Sequence, residues 1–184
     1  MSEDSKEQEA TIVVKSTRFG DLTVPASSVI EFPSGLIGFP RYTKYIMLEH
    51  KPPFSWLQSV DTPDLAFVVV DGFEFGDNYV VQAPIGDKAC DLKEEDEYAI
   101  LVVVTMRPNP HDSTANLKAP LFVNLRNKKG VQVIFDSAAY STRFPLWVQE
   151  EQEGGEPQAN QLEDERPAAS KAGAAPAKPE KAED

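Results

Sequence analysis

Residues 54–71 read FSWLQSVDTPDLAFVVVD, and this stretch decides the fold class. Its first seven and last seven residues are rich in aromatic and β-branched side chains, and the four residues DTPD separate them. Two such runs on either side of an Asp- and Pro-containing break predict two strands joined by a turn. Residues 65–70 are apolar on both faces, which predicts a central strand rather than an edge strand.

Short apolar runs and turn signals continue on both sides of this stretch. Further strands are predicted at residues 11–18, 22–25, 29–32, 45–49, 79–83, 98–106, 121–125 and 131–135. Gly130 is expected to supply a positive φ in the loop between the last two strands. Residues 87–97 alone have helix-like content, which predicts a short helical insert. Many short strands with frequent turns predict an all-β antiparallel sandwich or small barrel.

Charge divides the 184-residue chain into three parts. The net charge is -12, of which residues 1–10 carry -3 and residues 149–184 carry -6, so residues 11–148 carry only -3. The last part is rich in Ala, Pro, Glu and Lys, and Leu162 is its one large apolar residue. Because such a composition cannot bury enough surface to offset chain entropy, both ends are predicted to be disordered, the C-terminal one as an acidic tail. The folded domain is therefore predicted to span residues 11–148.

The same composition restricts the functional classes. An acidic chain is repelled by phosphate backbones and attracted to basic proteins, so a protein partner is expected rather than nucleic acid. The N-terminus lacks an apolar stretch and the longest apolar run is residues 99–104, which predicts a cytoplasmic protein without membrane contact. We expect a monomer without enzymatic activity, metal or cofactor. His50 and His111 have no ligand-spaced partner, and the acidic residues around Cys90 should raise the pKa of its thiol.

Two loops carry apolar side chains that a partner could contact. Residues 31–40, EFPSGLIGFP, contain too many prolines and glycines for a regular strand, so this loop either plugs one end of a barrel or presents anchors. Its Phe32 directly continues a strand and is assigned to the core. The second loop is a predicted hairpin tip with two phenylalanines around Glu74. The candidate partner-binding residues are Leu36, Ile37, Phe39, Phe73 and Phe75, followed by the polar residues Asp61, Asp64 and Asn116.

Three segments resemble the FliW family of flagellar assembly factors. Residues 32–39, FPSGLIGF, are similar to the family's EFPxGLxGF signature, and residues 56–67 resemble its WLQS-D-P-LAF segment. Residues 114–121, TANLKAPL, with Asn124 and the basic hairpin 127–130, resemble its TANLxAPLxxN element. These segments occur in the family's order, whereas the acidic tail lies outside the likeness.

This resemblance implies a small β-barrel-like fold, no enzymatic activity and two protein partners. One partner is CsrA, the RNA-binding regulator that represses flagellin translation, and the other is flagellin itself. In the family's scheme, flagellin in the cytoplasm holds FliW, and export of flagellin frees FliW to bind CsrA and relieve the repression. A small-molecule-binding β-barrel is the alternative, because barrels can hold ligands at their mouths.

Overall fold

The computed structural model describes residues 9–76 and 79–147 of the chain, and strands dominate these residues. Three short 3-10 turns, Ala26–Ser28, Gly72–Phe75 and Pro110–Asp112, are the helical elements among them. The strands are β1 Thr11–Ser16, β2 Gly20–Pro25, β3 Val29–Glu31, β4 Lys44–Glu49, β5 Phe54–Ser59, β6 Ala66–Asp71, β7 Tyr98–Thr105, β8 Thr114–Ala115, β9 Leu121–Asn124, β10 Lys129–Gln132 and β11 Phe144–Pro145.

Seven of these strands close into a barrel. The hydrogen-bonded order is β7-β6-β5-β4-β3-β10-β9, and β9 pairs with β7 again to complete the ring. Every contact in the ring is antiparallel except the one between β10 and β3, where Lys129 faces Glu31. Strand β6 lies between β5 and β7, so the predicted central strand and the predicted antiparallel barrel are both confirmed.

Apolar side chains fill the interior of the barrel. Phe32 is fully buried, as predicted, and its ring meets that of Tyr45 edge-on with centroids 5.8 Å apart. The buried cluster around them comprises Ile30, Phe32, Leu36, Tyr45, Leu57, Val69, Leu101, Leu121 and Val123. These residues come from strands and a loop far apart in sequence, so the core depends on closure of the ring.

Gly130 is required by this core and not by a turn. It lies inside β10, and the positive φ of the β9–β10 connection belongs to Lys128, at 57°. A Cβ atom on Gly130 would lie 2.4 Å from Cε1 of Phe32. The predicted role of Gly130 was therefore wrong: the buried Phe32 ring presses on the backbone and leaves no room for a side chain.

The β1–β2 hairpin forms a separate sheet attached to the barrel through Gln58. The Ser16 hydroxyl donates to Gln58 Oε1 at 2.8 Å, and Thr17 N–H donates to the Pro63 carbonyl at 3.1 Å. Gln58 is fully buried, and its amide donates to the Ser59 and Leu65 carbonyls at 3.1 and 3.0 Å. One buried glutamine therefore fixes both the hairpin and the turn that follows β5.

In two segments where a regular element was predicted, side chains instead bond to the backbone. Residues 79–83 form no strand; the hydroxyl of Tyr140 donates to the Val80 carbonyl there. Residues 87–97 form turns instead of the predicted helical insert. In that segment Asp87 accepts from Ala89 N–H at 2.7 Å, and such aspartates compete with helix formation by binding nearby N–H groups.

Two further predictions concern disorder at the chain ends and contact with a membrane. The disorder predicted for residues 1–8 and for the tail 149–184 lies outside the described residues. Within residues 9–76 and 79–147, no helix combines the length and apolar character needed to cross a membrane.

Candidate functional site

The apolar loop, residues 33–40, divides its large side chains between the core and the surface. Leu36 is only 4% exposed and plugs the barrel, so it cannot act as an exposed anchor. Ile37 and Phe39 are 55% and 36% exposed. The Phe39 N–H donates to the Leu36 carbonyl at 2.7 Å, and Gly38 has φ 85°, which together form a tight turn with Ile37 at its tip. The loop is thus both a plug and a presenting surface.

Contacts from outside the loop hold this turn in place. The Ile37 N–H donates to Oε1 of Gln132 at 2.8 Å, and the amide of Gln132 donates to the Ala119 carbonyl at 3.0 Å. The Phe39 ring packs edge-on against Phe67, with centroids 5.2 Å apart. Because the backbone on both sides of Ile37 is fixed, its exposed side chain is preorganised for contact.

Gly35 lets the loop fold back tightly on itself. It has φ 66°, and a Cβ atom there would lie 2.6 Å from Cα of Pro40. A shallow depression of about 250 Å³ separates the loop from β10, and Ile37 and Val131 are among the residues that line it. A partner side chain could therefore contact Ile37 and enter this depression at the same time.

The second apolar loop is a 3-10 turn and not the predicted hairpin tip. Asp71 caps the turn by accepting from Phe73 N–H at 3.0 Å. The side chain of Phe73 is 58% exposed, whereas Phe75 is half-buried. The Phe75 ring packs edge-on against Phe144 at 6.0 Å. Only Phe73 is free to act as an anchor without loss of packing.

Asp61 has a structural role despite its exposure. Its Oδ2 accepts from the backbone N–H groups of Thr43 and Lys44 at 3.1 and 3.4 Å, which joins the β5–β6 turn to the start of β4. Burial, with a smaller contribution from the nearby Asp61 carboxylate, raises the pKa of Tyr45 to about 12. Asp61 therefore stabilises the turn that its motif encodes.

The other two polar candidates differ in their surroundings. Asp64 is exposed at the same turn. Asn116 is half-buried, and its Oδ1 has no hydrogen-bond partner among the described residues. Asp61 is bonded to residues 43 and 44, just after the apolar loop, whereas the backbone N–H of Asn116 donates to the Val103 carbonyl of β7.

The groups that could perform chemistry are dispersed. Burial, more than its acidic neighbours, raises the pKa of Cys90, which is the predicted direction. Among residues 9–76 and 79–147, no group of three or more His, Cys, Asp or Glu side chains is arranged to hold a metal ion. Among the described residues, the apolar loop is instead a place where two large apolar side chains, Ile37 and Phe39, reach the surface.

Comparison with known proteins decides the family. The FliW protein family matches residues 13–146, which is most of the barrel domain. The chain belongs to the FliW family. All three motif segments fall within this FliW region, and residues 149–184 lie beyond it.

FliW proteins from several bacteria are similar to this chain. Flagellar assembly factor FliW of Geobacter sulfurreducens is 36% identical over 140 residues, which cover 74% of this chain and 87% of the relative. That of Geotalea uraniireducens is 39% identical over 137 residues, covering 73% and 83%. A crystal structure of the flagellar assembly factor FliW superimposes with a TM-score of 0.68 at 28% identity, covering 76% of this chain and 99% of the other.

Sequence reasoning missed Gln132, which positions the exposed turn of this FliW chain. Its signal was available, because a glutamine interrupts the otherwise apolar run VQVIF at residues 131–135. It also missed Phe144 and Trp147, which are 38% and 42% exposed. Residues 144–147 have no period that predicts a strand. Phe144 and Trp147 line a surface groove, which forms where β11 pairs with β8.

Proposed function

We propose that this protein is a non-enzymatic flagellar assembly factor of the cytoplasm that binds CsrA and flagellin. In this proposal, binding to CsrA relieves the repression of flagellin translation, and flagellin competes for the same factor in a chaperone-like partner switch. Neither nucleic acid nor membrane is contacted directly, and the free protein is a monomer. Membership of the FliW family supports the assembly role, and the related protein of Geobacter sulfurreducens is named a flagellar assembly factor.

The observation that most supports protein binding is the exposed side chain of Ile37, which a fixed backbone presents to solvent. Apolar side chains presented on fixed backbone contribute most to interfaces, because little conformational freedom is lost on association. Ile37 is 55% exposed, although Gln132 and the buried Leu36 hold its backbone from either side. We assign Ile37 and Phe39 to contact with CsrA, flagellin or both.

The small-molecule alternative receives less support from the interior of the barrel. The space that such a ligand would need is occupied by Phe32, Tyr45 and Leu57, each fully buried. The depressions beside the apolar loop and near β11 lie at the surface. Protein binding at the surface is therefore the function that the geometry favours.

A partner switch requires that binding of one partner lowers the affinity of the protein for the other. If flagellin is to control the free pool, its binding must lower the affinity for CsrA, and by linkage CsrA must lower the affinity for flagellin by the same factor. A tenfold effect corresponds to about 1.4 kcal/mol of coupling. Competition at one surface or coupling between two surfaces could each supply this energy.

The test is a titration of flagellin into a preformed complex of this protein with CsrA. We expect each partner alone to bind the purified protein, and flagellin to lower the apparent affinity for CsrA at least tenfold. Binding of both partners at once with unchanged affinities would overturn the switch. Binding of neither partner would overturn the proposed function itself.

A further inference from the structure

A second apolar surface lies near the other end of β6 from the apolar loop. Between the 3-10 turn Gly72–Phe75 and strand β11 is a groove of about 330 Å³, which we call the aromatic groove. Its lining includes Phe54, Glu74, Phe75, Phe144, Leu146 and Trp147. We propose that this groove is a separate docking site for a segment of another protein that presents apolar side chains beside lysine or arginine.

The aromatic groove is distinct from the apolar loop. Phe67, near the start of β6, supports Phe39 of the apolar loop, whereas Val70, near its end, lines the groove. Three residues of strand span about 10 Å, so a side chain bound at one surface does not fill the other. Two separate anchor side chains could therefore be held at the two surfaces.

Strand pairing, a backbone hydrogen bond and ring packing hold the aromatic residues of the groove in place. Phe144 is held in β11 opposite Ala115 of β8, and the next turn of chain is fixed by Leu146 N–H, which donates to the Ser113 carbonyl at 3.1 Å. Phe75 packs between Phe144 and Tyr79, with ring centroids 6.0 and 5.8 Å away. Fixed aromatic walls of this kind are typical of sites that receive an anchor side chain.

The exposed part of these walls is large for a surface that contacts only water. Phe144 and Trp147 are 38% and 42% exposed, and Phe73 at the adjacent turn is 58% exposed. Contiguous aromatic surface of this kind marks interaction sites in soluble proteins. These exposed aromatic side chains therefore make the groove a candidate docking surface.

The charge of the groove lining indicates which class of protein segment would bind there. Glu74 is the one charged residue among the described residues that line the groove. Arg143 directly precedes Phe144, and Lys51 lies two residues before Pro53, but neither basic residue lines the groove. A carboxylate at the rim of an apolar groove complements a basic residue next to the apolar anchor.

The C-terminal residues of the chain do not meet this requirement. Residues 149–184 carry a net charge of -6, the same sign as Glu74, and Leu162 is their one large apolar side chain. The chemistry of the groove thus points to a basic and apolar segment of a different protein. This inference does not depend on CsrA or flagellin, so its failure would leave the proposed function untouched.

The test uses the full chain and two fluorescently labelled amphipathic peptides of about 15 residues, long enough to form a marginal helix. One peptide has Leu on one face and Lys on the other, and the second has Glu in place of Lys. Fluorescence anisotropy should show saturable binding of the Lys peptide, at least tenfold tighter than that of the Glu peptide. Glu74→Lys should lower the affinity for the Lys peptide at least tenfold and raise that for the Glu peptide.

Matched variants separate the groove from general attraction between charges. Glu95 is exposed and lies outside the lining, so Glu95→Lys changes the net charge equally and should change binding less than twofold. Phe144→Ser and Trp147→Ser should each lower the affinity for the Lys peptide at least tenfold. Ile85→Ser, at a residue that is 48% exposed and lies outside the groove lining, should leave this affinity unchanged. Trp147→Ser keeps the test valid if Phe144→Ser fails to fold.

Several outcomes would overturn the inference. These are an absence of saturable binding, equal effects of Glu74→Lys and Glu95→Lys, or binding that survives both aromatic substitutions. Sedimentation that shows a dimer in the unmodified chain and a monomer in Trp147→Ser would also overturn it, because a second copy would then be the occupant.

Discussion

The backbone N–H of Ile37 donates a hydrogen bond of 2.8 Å to Oε1 of Gln132, although 95 residues separate the two along the chain. The amide of Gln132 also donates to the carbonyl of Ala119 at 3.0 Å. A single side chain on β10 therefore connects the motif at residues 32–39 with the motif at residues 114–121. The most exposed apolar residue of the first motif is held by a residue that belongs to neither.

Replacing Gln132 should loosen the turn without unfolding the barrel. Gln132→Leu keeps the size of the side chain but removes both hydrogen bonds, each worth about 1 kcal/mol net. We expect hydrogen exchange at the Ile37 amide to accelerate about fivefold, with a small decrease in the free energy of unfolding. Gln82→Leu, at an exposed glutamine elsewhere, is the control. Unchanged exchange at Ile37 in Gln132→Leu would show that the loop holds itself.

A methyl group on Gly130 should destabilise the barrel. It would be placed 2.4 Å from Cε1 of the buried Phe32 ring. Overpacking of this kind costs roughly 1–3 kcal/mol of unfolding free energy, which urea denaturation of Gly130→Ala can measure. Phe32→Leu should relieve the clash, so the double variant should lose less stability than the sum of the single variants. Additive losses would contradict the close approach.

The ion pair between Asp96 and Arg126 should make stability depend on acid pH. Arg126 Nε and Nη2 donate to Asp96 Oδ1 and Oδ2 at 2.6 and 2.9 Å. The Arg126 hydrogen bonds hold the pKa of Asp96 well below its usual range, and those from Lys93 N–H and the Asn124 amide add to the effect. Since the folded-state pKa is depressed, the stabilisation is present above the unfolded-state pKa and is lost as pH falls below it.

The matching variant is Asp96→Asn. It should be less stable than the unmodified chain at pH 7, and the difference should narrow as pH falls below about 4, the ordinary pKa of aspartate. Chemical denaturation at pH 7, 4 and 3 measures this difference. A difference that stays constant with pH would show that the hydrogen bonds matter and the charge does not.

Removal of the acidic tail should leave the barrel intact. Residues 149–184 lie outside the FliW-like region and contain one large apolar side chain. A chain that ends at Gln149 should therefore melt within about 2 °C of the full-length protein. A decrease on the order of 10 °C would instead show that the tail docks on the domain.

The local pattern of the sequence predicted most strands, because burial on one or both faces fixes the spacing of apolar residues. The central position of β6 followed from residues 65–70 alone, and the barrel followed from the FliW-like motifs. Two predictions that depended on local propensity were wrong in segments where a side chain, distant in one case and local in the other, binds the backbone. Tyr140 binds the carbonyl of Val80, and the Asp87 side chain caps turns where a helix was predicted.

The candidate site was predictable only in part. Glycines and prolines around residues 33–40 showed that the loop was irregular, but they could not show that Leu36 turns inward while Ile37 remains 55% exposed. The Gln132 contact that holds the Ile37 backbone closes across 95 residues, which no local pattern reveals. The aromatic groove likewise exists only when β11 pairs with β8, a contact that no local pattern encodes.

Whether the apolar loop binds partners is tested most directly by the affinity of Ile37→Ser for purified CsrA and flagellin, measured by calorimetry alongside thermal melting. Val13→Ser, at a comparably exposed aliphatic residue on β1, is the control, since Val13 is 60% exposed. We predict that Ile37→Ser melts like the unmodified chain and binds at least one partner at least tenfold more weakly, the loss expected at an interface anchor of about 1.4 kcal/mol or more. Unchanged affinity for both partners, or a loss that Val13→Ser reproduces, would contradict the assignment of the apolar loop as the binding surface.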